Sequence, residues 1–309
     1  MGNPNFQTGL FPHRVRPCAA MKSPSHSGRG SRPLLPHRTH HGQAGHPFND
    51  LRPIVNGILW ILHTGAPWRD LPERYGPWET VFRCFNRWRA DGTWGRIVTS
   101  LLDELDDQGQ IDHDLWCIDG SVIRASKAAA GAKKNASSPQ QLGGPKTAQM
   151  QEPSDHALGR SRGGFGTKIH LVCDSHGFIV AIHLTAGQTH ESKVFEPTMA
   201  RRLFLRRRGQ SRWPRRVAAD KGYSYPRIRQ WCRRRRIEAV IPTRANQPQN
   251  KHFNKANYRQ RHIVEQVVGW YKEYRALGTR YEKLAVNYVA LWLVAIMDKA
   301  LHRLFPNTA

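Results

Sequence analysis

The 309-residue sequence has no long hydrophobic run. Its longest apolar stretch without a charged residue, 284–297, is shorter than the about 20 residues that a membrane-spanning helix requires. No apolar segment follows the polar residues at its start, so we also expect no secretory signal peptide. These absences argue against an integral membrane protein.

Cysteines are few and widely separated. There are five, and none forms a C-x-x-C pair: Cys18, Cys84, Cys117, Cys173 and Cys232. This spacing argues against a disulfide framework and against a structural zinc site. It favours a protein of the reducing cytoplasm, and we expect a cytoplasmic location.

Acidic residues are scarce as well. The chain has 23 Asp and Glu against 48 Lys and Arg, so its formal net charge is +25. Such a surplus favours a polyanionic partner, and we favour nucleic acid and expect no membrane partner. An arginine-rich coding bias would produce the same surplus without a function. Residues 1–46 contain no acidic residue and no hydrophobic period, which predicts a disordered basic N-terminal arm.

Apolar residues recur at helical spacing in the next part of the chain, 47–110. The periods predict amphipathic helices at 50–63, 78–90 and 94–105. In the second helix Arg83 and Arg87 lie largely off the apolar stripe and are candidates for DNA contact. Short helices with an aromatic core and one arginine-rich member are typical of a small, all-helical, helix-turn-helix-like DNA-binding domain. The alternative is a plain helical bundle with a solvated basic face.

Strand patterns begin after residue 111. We predict strands at 115–123, 168–173, 178–184, 217–219 and 238–242, and helices at 192–205, 226–235, 258–276 and 283–305. Strands that alternate with helices predict an α/β domain, 111–309, with a mixed sheet flanked by helices. Residues 126–164 are rich in small and polar residues, which predicts a long mobile insertion.

Two aspartates occupy unusual positions in this α/β domain. Asp119 lies inside an otherwise apolar strand, where an ionised carboxylate is costly unless it is paired or binds a metal. Asp-Gly is also a common turn signal, although apolar residues follow it here. Asp220 closes the short predicted strand 217–219. Two acids at core strands indicate a site more strongly than either acid alone.

A third acid lies on the predicted helix 258–276. At helical spacing one face of this helix carries four polar residues: Tyr258, Arg261, Glu265 and Lys272. The opposite face carries the predicted core contacts: Ile263, Val267, Trp270 and Tyr274. The alternative is an ordinary solvated face in which Arg261 and Glu265 form an i, i+4 pair.

The three carboxylates suggest a specific chemistry. Oxygen ligands from Asp119, Asp220 and Glu265 suit two Mg²⁺ ions, with Mn²⁺ as a substitute. Two such ions can activate water or a DNA 3′-hydroxyl and stabilise the leaving oxygen of an in-line phosphoryl transfer. The flanking arginine and lysine would then contact the DNA backbone.

The spacing Tyr258-x2-Arg261-x3-Glu265-x6-Lys272 agrees at every defined position with the Y-x2-R-x3-E-x6-K signature of one superfamily. The blocks 118–121, 219–223 and 241–243 are similar to the segments that carry its two aspartates and its following strand. The chain therefore resembles the DDE transposases of bacterial insertion sequences, specifically the insertion-sequence-five group, over roughly 47–305.

The resemblance implies a ribonuclease H-like catalytic fold and a location in the bacterial cytoplasm with the nucleoid. It assigns catalysis and metal binding to Asp119, Asp220 and Glu265. It assigns contacts to the transposon end to Tyr258, Arg261 and Lys272. It further implies binding of double-stranded DNA at terminal inverted repeats, strand transfer into target DNA, and a homodimer on DNA.

Two other functions remain open at this stage. One is a catalytically inactive or domesticated, sequence-specific DNA-binding protein derived from a transposase. The other is a ribonuclease H-like nuclease that lacks strand transfer. His190 and Glu191, which lie between the predicted hairpin and the next helix, are lesser candidates for the rim of the site.

Overall fold

The computed structural model describes residues 51–131, 152–204, 213–249 and 253–306. The predicted basic arm, 1–46, lies outside the described residues, as does the middle of the predicted insertion. The helices of the described part are α1 (Arg52–Thr64), α2 (Trp78–Ala90), α3 (Thr93–Asp107), α4 (Lys127–Ala130), α5 (Glu191–Ala200), α6 (Pro226–Arg234), α7 (Lys255–Arg259), α8 (His262–Lys272), α9 (Arg275–Gly278) and α10 (Ala285–Leu304).

Six strands of the described part form one mixed sheet. They are β1 (Leu115–Arg124), β2 (Gly159–Ser161), β3 (Gly164–Asp174), β4 (Ile179–Ala186), β5 (Arg216–Ala218) and β6 (Glu238–Val240). β3 runs antiparallel to β1, and both β4 and the short β2 pair with the other edge of β3. β5 and β6 follow parallel to β1 on its other side. This order confirms the predicted ribonuclease H-like α/β fold.

Helix α10 explains the longest apolar run of the sequence. It is buried over most of its circumference, as expected of a helix that is hydrophobic all round. Trp292 is fully buried and stacks on Tyr271 of α8 with 5.7 Å between ring centroids. Helices α1 and α3 also pack against α10, so the N-terminal helices share its core. None of the described helices is long and apolar enough to span a membrane.

The predicted helix 258–276 is wrong as a single helix, because the chain divides there into α7, α8 and α9. At the first break, the amides of Ile263 and Val264 donate hydrogen bonds to the carbonyls three residues before them, each at 3.1 Å, as in a 3-10 turn. The buried face of α8 is also rotated relative to the prediction. It is centred on Val264, Val267 and Tyr271, whereas Trp270 is only partly buried.

The helix predicted at 192–205 ends earlier than expected. α5 stops at Ala200, and the following Leu203 donates its amide to the carbonyl of Val180 at 2.9 Å. The edge of β4 that faces away from β3 thus provides a backbone partner for the chain beyond the helix. The predicted insertion, 126–164, is described only at its two ends, where it contributes α4 and β2.

The turn between β3 and β4 depends on Gly177. Its φ of +87° lies in the left-handed region, and a Cβ built there would come within 2.8 Å of the Trp270 ring. We predict that Gly177→Ala lowers the free energy of unfolding by about 1–2 kcal/mol, measured by urea denaturation. Gly95→Ala is the matched control, since a Cβ on this α3 glycine would meet no other atom. This variant should raise the free energy of unfolding by up to about 1 kcal/mol. A loss in both variants would contradict the argument.

Candidate functional site

The sheet places the two predicted aspartates side by side. Cys117 of β1 pairs with Ala218 of the parallel strand β5. Asp119 lies two residues after Cys117, and Asp220 lies two residues after Ala218. Asp119 is therefore level with Asp220 at the centre of the sheet. Asp119 Oδ1 accepts a hydrogen bond from the amide of Gly120 at 2.8 Å. Asp220 Oδ1 accepts one from the amide of Gly222 at 2.8 Å.

Helix α8 covers the face of β1 from which Asp119 projects. Arg261, at the start of α8, donates from Nη1 to Asp119 Oδ2 at 3.2 Å and from Nη2 to Glu265 Oε1. Lys272, the last residue of α8, donates to the hydroxyl of Ser121 at 2.9 Å. Arg261, Glu265 and Lys272 thus lie over β1, and Arg261 connects Asp119 to Glu265.

The charged groups at this site shift one another's pKa. Burial raises the pKa of Asp119, although the Gly120 amide and Arg261 oppose the shift, and nearby carboxylates add to it. Burial lowers the pKa of Arg261, but the carboxylates of Asp119 and Glu265 outweigh burial and raise it overall. Arg261 therefore neutralises part of the negative charge that Asp119 and Glu265 bring to the site.

Of the other predicted DNA contacts, Tyr258 lies close enough to Arg261 to help raise its pKa, whereas Arg83 and Arg87 lie on α2. Tyr258 belongs to α7 and packs on Phe253, with 5.4 Å between ring centroids. Arg83 and Arg87 are exposed on α2, and Arg83 donates to Thr80 at 3.4 Å. The basic face of α2 is therefore accessible to a partner.

Glu191, at the start of α5, is closer to the aspartates than its sequence position suggested. Its Oε1 lies 3.1 Å from the point where a Cβ on Gly120 would sit. Its Oε2 lies 3.4 Å from the corresponding point on Gly222, and Asp220 Oδ1 lies 2.9 Å from that point. The available signal was an acid directly after the hairpin together with glycines beside both aspartates.

These residues fit a hard divalent cation. Carboxylate oxygens are the ligands that Mg²⁺ and Mn²⁺ accept, and Gly120 and Gly222 leave space beside them. His170 is fully buried next to Gly120, and its Nδ1 has no hydrogen-bond partner among the described residues. In the part of the chain that the structure describes, no three His, Cys, Asp or Glu side chains already converge as a complete cage.

Comparison with known families decides the classification. A family profile described as a putative transposase of the IS4/5 family matches residues 31–98. A second profile, described as the transposase DDE domain, matches residues 111–297, which is more than half of the chain. The chain belongs to the DDE transposase family. This match confirms the resemblance carried by the tyrosine, arginine, glutamate and lysine motif.

Curated relatives of this DDE transposase-family protein match a limited segment. An uncharacterized protein, y4sN, of Sinorhizobium fredii (strain NBRC 101917 / NGR234) is 33% identical over 88 residues. An uncharacterized 16.2 kDa protein of insertion element IS402 from Burkholderia cepacia is 40% identical over 84 residues. The matches cover 28% and 26% of this chain and span 66% and 56% of the two relatives.

Solved structures of the Mos1 transposase are also similar to this DDE transposase-family chain. A pre-cleavage Mos1 transpososome is 14% identical, with a TM-score of 0.24, and the match covers 85% of this chain and 81% of the other. A Mos1 paired-end complex with the left transposon end is 13% identical, with a TM-score of 0.26, over 85% and 82% of the two chains.

Proposed function

We propose that this protein is a DNA transposase that cleaves the ends of its element and transfers them into target DNA. The observation that supports this most directly is the position of Asp119 in β1 and of Asp220 just past the end of the parallel strand β5, next to the helix that carries Glu265. We propose these three residues as catalytic metal ligands. Mg²⁺ bound there, or Mn²⁺ in its place, would activate the attacking hydroxyl and stabilise the leaving oxygen.

The basic residues of α8 have a second role in this proposal. Arg261 balances the charge of Asp119 and Glu265 without DNA, and its planar guanidinium suits a phosphate of the transposon end. Lys272 is held over β1 by Ser121, and we propose that it contacts the same DNA strand, as does Tyr258. These contacts would place the scissile phosphate against the two aspartates.

The proposed partner is double-stranded DNA, both the inverted repeats and the target. We propose residues 47–110 as the DNA-binding domain and 111–309 as the catalytic domain. A homodimer would bring the two ends of the element together. In the bacterial cytoplasm, associated with the nucleoid, the protein would meet both the inverted repeats and the target DNA. The net charge of +25 supports a polyanionic partner.

A plasmid that carries the gene with its flanking DNA tests this function. With purified protein and Mg²⁺ we expect cleavage at defined positions in the flanks, joined strands among the products, and no reaction in EDTA. Cleavage without joined strands would indicate a nuclease that lacks strand transfer. Absence of cleavage in both Mg²⁺ and Mn²⁺ would contradict the proposal.

A DNA-binding protein without nuclease activity is the second candidate. The bridge from Arg261 to Asp119 and Glu265 favours it, because the guanidinium already occupies oxygens that a metal would need. This candidate predicts salt-sensitive DNA binding with no metal-dependent product. The plasmid experiment therefore separates the two functions.

The basic face of α2 gives a quantitative prediction. Replacing both Arg83 and Arg87 by glutamine should weaken DNA binding and reduce the slope of log affinity against log salt by about 2, because each arginine neutralises one phosphate. Fluorescence anisotropy at several salt concentrations measures this slope. Arg303→Gln, an exposed arginine at the end of α10, is the control. An unchanged slope in the double variant would exclude this face from the interface.

A further inference from the structure

We propose that Glu191 is a fourth acidic residue of the catalytic site and contributes its carboxylate to divalent cation binding beside Asp119 and Asp220. This inference rests on the proposed transposase function. It adds a residue that lies outside the four-residue motif of α7 and α8. It also gives the first turn of α5 a role in the proposed chemistry.

The position of the Glu191 carboxylate carries the argument. One oxygen approaches Gly120, the residue after Asp119, and the other approaches Gly222, two residues after Asp220. A side chain on Gly120 would come within 3.0 Å of Glu191 Cγ, so only glycine leaves room for this approach. The carboxylate thus lies beside the glycines that follow the two aspartates, and its charge helps to raise the pKa of Asp119.

Glu191 and Glu265 approach the aspartates from opposite faces of β1. Cys117, Asp119 and Ser121 project toward the α7–α8 segment, since the Cys117 thiol contacts a carbonyl there at 3.9 Å and Ser121 bonds Lys272. Gly120 and its cross-strand partner lie on the other face, where α5 packs. Glu265 is 58% exposed and bonded to Arg261, whereas the Glu191 side chain is 19% exposed.

A lysine of β3 holds the Glu191 side chain in place. Lys168 Nζ lies 2.8 Å from Glu191 Oε1 and 3.4 Å from the carbonyl of Thr189, just before α5. The lysine contacts only one of the two carboxylate oxygens, and Oε2 remains directed toward Gly222 and Asp220. Lys168 therefore fixes the rotamer of Glu191 and leaves one oxygen toward the aspartates.

Two buried polar groups that have no hydrogen-bond partner among the described residues point independently to a ligand here. His170 is 0% exposed, and its Nδ1 lies 3.1 Å from the same Gly120 position that Glu191 approaches. Burial lowers the pKa of His170 to about 3, so the ring is neutral and adds no competing charge. The buried hydroxyl of Tyr223 likewise has no partner in the described residues. A hydrated cation beside Glu191 would supply partners to such groups.

Mn²⁺ binding to the full-length protein tests the inference without requiring turnover. Free Mn²⁺ is followed by its electron paramagnetic resonance signal as protein is added. We expect Glu191→Gln to weaken Mn²⁺ binding by at least about 10-fold. Glu196→Gln is the matched control, because Glu196 lies on the same helix and pairs with Arg227 at 2.5 Å. It should bind Mn²⁺ as the unmodified protein does.

A third variant separates metal binding from a structural ion pair. Lys168→Gln breaks the same pair but keeps the Glu191 carboxylate, so Mn²⁺ binding should weaken much less than in Glu191→Gln. Equal weakening in Lys168→Gln and Glu191→Gln would show that only the pair matters and would overturn the inference. If Glu191→Gln shows no thermal unfolding transition, Glu191→Asp replaces it, because the shorter side chain withdraws the carboxylate from Gly222. Unchanged Mn²⁺ affinity in Glu191→Asp would contradict the inference.

The outcomes also distinguish this inference from the proposed function. If the unmodified protein cleaves the plasmid but Glu191→Gln binds Mn²⁺ as tightly as Glu196→Gln, the role of Glu191 is overturned and the proposed function stands. Unmodified protein that neither binds Mn²⁺ nor cleaves DNA overturns the proposed function and this inference together.

Discussion

Asp119→Asn is expected to reduce metal-dependent cleavage of the plasmid substrate by at least about 10³-fold, while the protein stays folded and still binds DNA. Asparagine keeps the shape of the side chain and an oxygen that can accept the hydrogen bond from the amide of Gly120. It removes the negative charge that lies level with Asp220 and that Arg261 contacts at 3.2 Å. The loss should therefore fall on the reaction and not on the fold.

The rate of plasmid cleavage measures this effect, with fluorescence anisotropy to confirm DNA binding. Asp114→Asn is the matched control, because Asp114 immediately precedes β1 and pairs with two exposed or half-buried arginines, Arg215 and Arg216. It should retain near-normal cleavage. Cleavage by Asp119→Asn at the rate of Asp114→Asn would remove Asp119 from the catalytic site.

Arg280→Met is expected to lower the free energy of unfolding by about 3 kcal/mol. The Arg280 side chain is completely buried between β3 and the loop before α10. Its guanidinium donates to the Thr167 hydroxyl at 2.7 Å and to three backbone carbonyls, those of Ala157, Glu282 and Lys283, at 3.0–3.2 Å. Methionine fills similar space but leaves these buried acceptors without a donor.

Thermal unfolding measures the effect, and we expect Tm to fall by roughly 5–10 °C. Arg275→Met is the control, because Arg275 lies five residues earlier and is exposed. It should shift Tm by less than about 2 °C. Equal stability of the two variants would mean that the acceptors around Arg280 find other partners.

Most of the element order could be predicted from the sequence. The alternation of buried runs and turns in β1, β3 and β4 is local, and so is the apolar period of α1, α2 and α3. The predicted order of strands and helices after residue 111 is confirmed, except that α4 and β2 were not predicted and that the helix predicted at 258–276 is divided into α7, α8 and α9. Local periodicity could not locate the break before α8, because the backbone at Gln260 and Arg261 stays nearly helical while its hydrogen bonds change.

The candidate site was only partly accessible from sequence. Asp119 was conspicuous because a carboxylate inside an apolar run is costly, and the motif residues were conspicuous by their spacing. Their roles in metal and DNA binding stay predictions. Glu191 was not conspicuous, because an acid in the first turn of a helix is ordinary in itself. Its significance lies in its distance from Gly120 and Gly222, which are remote from it in the chain.

The class of the protein, most of its strand and helix order, and its family follow from the sequence, because they depend on residue types and spacings along the chain. Which side chains meet depends on how the strands pair and the helices pack. The register between β1 and β5 makes Asp119 level with Asp220, and the rotation of α8 sets Arg261 between Asp119 and Glu265. Strand pairing and helix packing set these distances through contacts between residues far apart in sequence, which no local pattern encodes.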